Sequence, residues 1–401
     1  MKALRVLEVL EVLARCCTLS TLSTSSTSST STMDIARRRL AAQQLTAPLL
    51  TDPAQVVRLL GAVQAQDYGG AKWALGMRTR GATDASIERA YGDGAILRTH
   101  VLRPTWHFVT PADIRWMLAL TGPRVKAMMA HYDRKLELDD ALFRRTNAAL
   151  VRALRDGKQL TRAEIAQTLR GEGIDVTGSQ RLAHILLRPE LDAIICSGAR
   201  RGKQFTYALL DERVPAAPAK DREEALLELT TRYFATRGPA TVNDFAWWSG
   251  LTVADAKRGT EMAGASLERE VIGDRAYWSG PPTRGSTRRT PHALLLPNYD
   301  EYFIGLKDRS AIGTRMRSAK LVTGGDALIA HVVVIDGQLV GGWKRTITRN
   351  SVAIELRVLT RLSEAEQGAV NAIAQRHGEF LGLPAEVRGL STPRGRRPAR
   401  A

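Results

Sequence analysis

Several classes of protein are disfavoured by what this 401-residue chain has little of. It holds three cysteines, and two of them, Cys16 and Cys17, are adjacent near its start. That number supports neither a disulfide framework nor a cysteine-rich zinc site. Five of its seven histidines lack metal-ligand spacing to acids or cysteine, so we expect no metal and no cofactor. No stretch is long and apolar enough to span a bilayer, and no membrane partner is expected.

Acidic residues are also in short supply relative to basic ones. The chain has 41 Asp and Glu against 58 Lys and Arg, a formal net charge of +17. Such an excess favours a polyanionic partner, with nucleic acid first and an anionic membrane surface second. The 44% of hydrophobic residues is typical of a globular protein, and the length allows two to four compact units.

The two ends of the sequence differ in composition from the rest. Residues 18–32 are almost all Ser, Thr and Leu, a composition that cannot build a core and predicts disorder. We interpret residues 1–32 as a disordered leader or a misassigned start, with the functional chain beginning at Met33. The Arg-, Pro- and Gly-rich residues 391–401 predict a disordered basic tail.

Helical patterns followed by short strand pairs recur between residues 33 and 280. The capping pattern Thr161-x-x-Glu164 returns 80 residues later as Thr241-x-x-Asp244, which indicates an internal duplication. Helices followed by a small sheet are the order of a winged helix. The predicted organisation is a winged helix over residues 33–110, a helical connector over 111–157, a second winged helix over 158–213 and a third over 219–280.

The last part of the chain changes to a strand-like period. Short apolar runs follow a Pro-, Gly- and Arg-rich break, and Asp336-Gly337 is a strong hairpin turn. We predict a barrel-like β unit with a closing helix over residues 288–390. The expected fold class is therefore mainly α with small β-sheets (α+β): three tandem winged helices followed by a C-terminal β-barrel-like unit.

The most informative short segment follows the first amphipathic helix pattern. Gln64 and Gln66 flank one small residue, Ala65, so their amides can point into one cleft and hold a water molecule through donor and acceptor groups together. Asp67 and Tyr68 follow them and add a carboxylate and a stacking face. From its spacing alone, the triplet is better explained as two ordinary polar residues at a helix end, because Gln-x-Gln occurs often by chance.

Three motifs in this order resemble the winged-helix DNA-binding proteins that include the AlkZ-type DNA glycosylases. The triplet at 64–66 is similar to that family's catalytic Gln-apolar-Gln motif. Residues 98–109 (RTHVLRPTWHFV) and 294–302 (LLLPNYDEY) are similar to its other two motifs. The sequence departs from the family pattern at His100, where Trp is usual, and at Pro104, where Gly is usual.

The resemblance runs from about residue 33 to about residue 390 and implies both a fold and an activity. The implied fold is three tandem winged helices and a C-terminal β-barrel. The implied activity is hydrolysis of the N-glycosidic bond of bulky or crosslinking N-alkylated purines in double-stranded DNA. No lysine lies in the triplet, so we expect simple hydrolysis without a Schiff-base lyase step.

The residues at and near the triplet are the candidate catalysts. Gln66 is expected to orient the attacking water and Gln64 to fix that water or the sugar. Asp67, Tyr68 and His107 are expected to support them. The candidate DNA-binding residues are Arg98, Arg103, Arg200, Arg201, Lys307, Arg309 and Lys344.

Two other functions fit the same motifs. One is a non-catalytic winged-helix regulator in which the glutamines are bystanders, and the other is a resistance protein that sequesters an adduct without cutting. We expect a monomer, because no obvious dimerisation helix is present, and a cytoplasmic, nucleoid-associated location.

Overall fold

The computed structural model describes residues 28–46, 50–281, 290–318 and 331–389. The predicted leader and the predicted basic tail lie outside this part, apart from residues 28–32. There helix α1 (Ser28–Ala42) has already begun, so regular structure starts before Met33, where we placed it. Helix α1 buries Ile35 and Leu40.

The first unit has the order helix, strand, two helices and hairpin. Its first helix begins as predicted at Asp52-Pro53, because the Asp52 side chain accepts a hydrogen bond from Ala54 N and proline occupies the first turn. It ends at Gly61, whose φ of 78° favours glycine. The strands pair antiparallel in the order β1-β3-β2. The elements are α2 (Pro53–Leu60), β1 (Val63–Gln64), α3 (Tyr68–Arg78), α4 (Asp84–Gly92), β2 (Leu97–His100) and β3 (Trp106–Val109).

A second unit repeats this order and its sheet order, β4-β6-β5. Its first helix lies in the segment 111–157 that we predicted as a connector. The helix buries Leu150 and Leu154 in one cluster with Ile165 and Ile185, so it belongs to the unit's core. The elements are α5 (Pro111–Lys135), which precedes the unit, then α6 (Asp140–Leu154), β4 (Leu160–Thr161), α7 (Arg162–Gly171), α8 (Ser179–Leu191), β5 (Ile195–Ser197), β6 (Thr206–Leu209) and the short α9 (Leu210–Arg213).

The third unit has the same order, except that a single bridge between Ala240 and Trp278 replaces its first strand. The predicted capping boxes at Thr161 and Thr241 are both formed. In the described part of the chain no helix combines the length and apolarity needed to cross a bilayer. The elements are α10 (Arg222–Arg237), α11 (Val242–Ser249), α12 (Val253–Ala263), β7 (Glu268–Ile272) and β8 (Arg275–Ser279).

The C-terminal unit is an open sheet, which corrects the predicted barrel-like closure. Its described strands follow the order β13-β12-β11-β10-β9, so the first and last are edges that do not pair with each other. The hairpin turn at Asp336-Gly337 joins β10 and β11 as predicted. The elements are β9 (Ala293–Leu296), α13 (Glu301–Ile304), α14 (Thr314–Ser318), β10 (Val332–Ile335), β11 (Gln338–Ile347), β12 (Val352–Val358), α15 (Glu364–Leu381) and β13 (Ala385–Arg388).

The first unit and the C-terminal sheet share one hydrophobic core. The Trp73 indole of α3 donates to Leu295 O at 2.7 Å, and the Trp343 indole of β11 donates to Leu296 O of the same strand at 2.8 Å. This contact could not be predicted from the sequence, because the two parts are over 200 residues apart. The junction places α3 and the triplet before it against the C-terminal unit.

A buried histidine at this junction predicts a pH dependence of stability. The His377 ring lies edge-on to Trp73 and Trp343, with ring centroids 4.7 and 5.4 Å away, and burial lowers its pKa from 6.5 to about 3. Between pH 6.5 and about pH 3, His377 is therefore protonated in the unfolded chain but neutral in the folded chain. We expect this residue's contribution to be present above pH 6.5 and to be lost as the pH falls, by up to about 1.4 kcal/mol per unit.

Urea unfolding at pH 7.5 and pH 5.0 measures this effect. The fall in unfolding free energy should be smaller in His377→Phe than in the wild type by about 2 kcal/mol. The exposed His131 supplies the matched control, His131→Phe, which should keep the wild-type pH dependence. Equal pH dependence in the wild type and His377→Phe would contradict the assignment.

Candidate active site at the Gln64–Gln66 segment

The backbone of the triplet is held by a buried carboxylate from the C-terminal unit. Glu301 Oε1 accepts from Gln64 N at 2.8 Å. Its Oε2 accepts from the Arg237 guanidinium at 2.6 Å and from the Trp248 indole at 2.9 Å. Arg237 also donates to the carbonyl of Leu60, at the end of α2. Since Glu301 and Arg237 are fully buried, this network fixes the chain that enters the triplet.

Strand pairing brings Gln64 next to His107. The two residues are directly opposite in the β1–β3 ladder, and Gln64 N bonds to Glu301 instead of to β3. They therefore form a non-hydrogen-bonded pair, in which side chains on one face lie closest. The next bond of the ladder, from Ala65 N to Trp106 O, is 2.7 Å long.

The two amide oxygens are both bound by groups of the β2–β3 hairpin. Arg103 Nη2 donates to Gln64 Oε1 at 2.8 Å, and Trp106 N donates to Gln66 Oε1 at 3.2 Å. Gln66 is exposed, but Gln64 is only 5% exposed. Our expectation that both amides face outward is thus wrong for Gln64, because Arg103 covers its oxygen.

His107 is a buried neutral imidazole. Burial and the nearby Arg103 charge hold its pKa well below 6.5. Its Nδ1 lies 2.8 Å from Thr105 O, and because a carbonyl can only accept, Nδ1 carries the proton and Nε2 is an acceptor. The side chain has no exposed surface, so it lies behind Gln64 and not at the surface.

Asp67 begins helix α3. Its Oδ1 accepts from Gly70 N at 3.0 Å, which satisfies a free N–H of the first turn. Its Oδ2 lies 3.9 Å from His331 Nε2 and 4.0 Å from Arg345 Nη2. Asp67 is therefore a helix cap whose second oxygen faces the Arg345 guanidinium of the C-terminal unit, while burial lowers the pKa of the neighbouring His331.

Tyr68 does not offer the stacking face that we expected. Its ring meets the rings of Tyr91, Phe108 and Phe205 edge-on, at 5.4, 5.7 and 5.0 Å between centroids. The Arg200 guanidinium lies 4.9 Å from the ring centroid. Burial also raises the pKa of its hydroxyl. Tyr68 packs in an aromatic cluster that supports the segment from inside.

Two of the predicted DNA-binding arginines, Arg98 and Arg103, are buried beside the triplet. Arg98 is 7% exposed, donates through Nε to Ala65 O at 3.1 Å, and stacks between Trp106 and Phe205. Arg103 is equally buried, and burial lowers its pKa to about 10. Their guanidinium groups face the triplet, and both donate hydrogen bonds that hold it in place.

The other predicted DNA-binding residues lie at or near the surface. Arg200 is paired with Glu88 at 3.2 Å, and exposed Arg201 is paired with Glu164. Arg309 donates through Nε to Phe303 O at 2.8 Å and is half-buried. The remaining two residues, Lys307 and Lys344, have exposed side chains.

Sequence reasoning did not assign the residues that hold the triplet from outside the first unit. Glu301 lies in the segment 294–302 that we singled out, next to Asp300, which forms a buried ion pair with Arg78 at 2.8 Å. Two consecutive acids after an apolar strand pattern were the available signal. Arg237, at the end of a helix far away in sequence, offered none.

The site combines two fixed amides, a neutral imidazole and buried cations. In the described residues no group of three or more metal-ligating side chains is gathered. Fixed amides can orient a water molecule or a reacting group.

The class of protein is a DNA glycosylase. A family model described as "DNA glycosylase AlkZ-like" matches residues 57–380, which include the triplet and most of the chain. The chain belongs to this AlkZ-like family, it is an enzyme, and DNA is its substrate.

Two comparisons with individual proteins agree with this assignment. The chain is 25% identical over 320 residues to an interstrand DNA cross-link repair glycosylase of Streptomyces sahachiroi, across 76% of this chain and 85% of that protein. It also resembles the solved structure of Streptomyces sahachiroi DNA glycosylase AlkZ, with a TM-score of 0.73 and 22% identity, over 89% of this chain and 99% of that one. The second likeness shows a common fold.

Proposed function

We propose that this glycosylase hydrolyses the N-glycosidic bond of N-alkylated purines in duplex DNA, with bulky and crosslinking adducts among its substrates. The observation that carries the proposal is the pair of amides at Gln64, the last residue of β1, and Gln66, two residues later, which the β2–β3 hairpin and Glu301 hold in place. The name of the Streptomyces relative, a cross-link repair glycosylase, supports the choice of substrate.

The chemistry suits amides because the leaving group is already activated. Alkylation at N7 makes guanine cationic, so its departure needs a placed water and stabilisation of an oxocarbenium-like sugar, and no strong base. Gln64 and Gln66 supply the fixed contacts that place the water and the reacting groups. Asp67 is less suited to stabilise the sugar cation, because one of its oxygens caps α3 and the other lies 4.0 Å from the Arg345 guanidinium.

We propose simple hydrolysis without strand cleavage. A lyase step needs a lysine amine that is free to form a Schiff base. The lysine nearest to the triplet in sequence, Lys72, is buried and forms ion pairs with Asp84 at 2.7 Å and Glu88 at 2.8 Å. Because both ion pairs hold its amine inside the first unit, Lys72 is not free to form a Schiff base.

The three repeated units would hold the duplex. We propose that each is a winged helix and that the protein binds DNA as a monomer, mainly through phosphates. Arg201, Lys307 and Lys344, which have exposed side chains, are the proposed phosphate contacts. Neutralising one of them should weaken binding to all sequences equally and reduce its salt dependence.

Base release from a defined lesion tests the proposed function. The protein is incubated with a duplex that carries one 7-methylguanine, and half of each sample is then given a brief, mild alkali treatment, which cleaves at an abasic site but not at an intact 7-methylguanine. We expect strand breaks at the lesion after alkali and none without it. Binding without alkali-dependent breaks would instead support a sequestering or regulatory protein.

A second substrate tests the part of the proposal that concerns crosslinks. In a duplex joined through N7 of two guanines, base release at one strand separates the strands on a denaturing gel. We expect single strands to appear with the wild-type protein. Release of 7-methylguanine with an intact crosslink would restrict the substrates to monoadducts.

A further inference from the structure

We propose that Gln64 and Gln66 act in the site only as hydrogen-bond donors, and that Arg103 is the positioning residue that sets this polarity for Gln64. The inference rests on the proposed function and specifies how the amides perform it. It also identifies the kind of atom that they meet, a hydrogen-bond acceptor on the water or on the departing purine.

The partners of the two amides determine which atom of each amide faces the β2–β3 hairpin and which atom is left for the substrate. A guanidinium and a backbone N–H can only donate, so the amide atoms that face Arg103 and Trp106 N must be oxygens. The distances are 2.8 and 3.2 Å. Rotating either amide by 180° would place donor against donor, so the usual ambiguity of amide orientation does not arise. The free end of each amide is Nε2.

The main chain that carries Arg103 is fixed, and the charge of its side chain lets it act only as a donor. It lies in the β2–β3 turn, where its N–H donates to Val101 O at 2.7 Å. The turn is covered by Gly250, where an added Cβ would collide with Leu102 O. With a pKa of about 10, Arg103 stays charged at neutral pH and cannot accept a hydrogen bond.

A site that offers two amide NH2 groups can serve two acceptors. An attacking water must keep one lone pair free for C1′ of the sugar, so it accepts a hydrogen bond from only one of these groups. The C1′–O bond then forms and the C1′–N bond breaks, and its electron pair stays on the purine. The proton of the attacking water passes to bulk solvent.

The second donor therefore faces an acceptor atom of the departing purine. Electron density on that atom grows as the bond breaks, so the hydrogen bond is stronger in the transition state than in the substrate. Such a contact lowers the barrier.

The substitution Gln64→Glu replaces the amide nitrogen with an oxygen, so the free end of the side chain changes from a hydrogen-bond donor to an acceptor. In Gln64→Glu, one carboxylate oxygen keeps Arg103 as a partner, and the other presents an acceptor where a donor stood. We expect single-turnover release of 7-methylguanine to fall about a hundredfold, the effect of losing one fixed donor. Gln375→Glu, an exposed position with the same charge change, should match the wild type.

Two substitutions at Arg103 separate positioning from DNA contact. Arg103→Met frees the amide to rotate and should slow release about tenfold, while Arg103→Lys keeps a donor and should recover most of the rate. Affinity for the duplex and its salt dependence should stay at the wild-type values in both variants, and the exposed Arg258 supplies the control Arg258→Met.

Three results would overturn the inference. One is a Gln64→Glu variant as fast as the wild type or faster, and another is an Arg103→Lys variant no better than Arg103→Met. The third is a parallel loss of rate and affinity at Arg103. If the wild type itself released no base, the proposed function would fail instead, so the two failures can be told apart. The Gln64→Glu comparison stands even if Arg103→Met does not fold.

Discussion

Replacing Gln64 and Gln66 together with alanine should slow release of 7-methylguanine at least about a thousandfold. Each fixed donor is worth about a hundredfold or more where charge changes in the transition state, and the double variant removes both. Affinity for the duplex should stay within about threefold, because phosphate contacts dominate it. Single-turnover rates and binding measured on one lesion duplex give both numbers.

The two single variants show how much of this loss is structural. Gln66 is exposed, so Gln66→Ala should change the unfolding free energy by less than about 0.5 kcal/mol. Gln64→Ala leaves the buried Arg103 without its partner and should cost about 1–3 kcal/mol. A paired control at exposed positions, Gln167→Ala with Gln375→Ala, should leave the release rate unchanged. Normal release by the double variant would remove the triplet from the mechanism.

Features that depend on a few neighbouring residues were predictable from the sequence. Asp52-Pro53 begins a helix, Thr161 and Thr241 form capping boxes, and Asp336-Gly337 forms a hairpin turn. In each case the hydrogen-bonding groups lie within four residues of each other. The same holds for the start of α3 at Asp67, although the sequence did not show that its carboxylate would be used there.

Features that depend on distant packing were not predictable. Arg98 and Arg103 were assigned to DNA because exposed arginines meet phosphates, but their burial is decided by Phe205 and Trp106 and by a turn against Gly250. The barrel was expected because several strand patterns follow each other. Whether edge strands meet depends on register and twist across the whole sheet, which no local pattern records.

Loss of the Glu301 carboxylate should destabilise the protein and disable the site together. Glu301→Ala leaves Arg237 charged and unpaired in the interior, and Gln64 N and the Trp248 indole without their acceptor. Removing one partner of a buried ion pair costs about 3–5 kcal/mol. Glu223, which pairs with Arg258 at the surface, supplies the control, and Glu223→Ala should cost less than about 1 kcal/mol.

A double variant separates the effect of an unpaired buried charge on stability from the effect of the network on the release rate. Glu301→Leu with Arg237→Met removes both charges, and urea unfolding should show it to be more stable than either single variant, because no unpaired charge remains. Its release of 7-methylguanine should still be slow, since Gln64 N has lost the acceptor that fixes β1. If the double variant regained the wild-type rate, the network would serve stability alone, and the position of the two amides would be set by the β2–β3 hairpin.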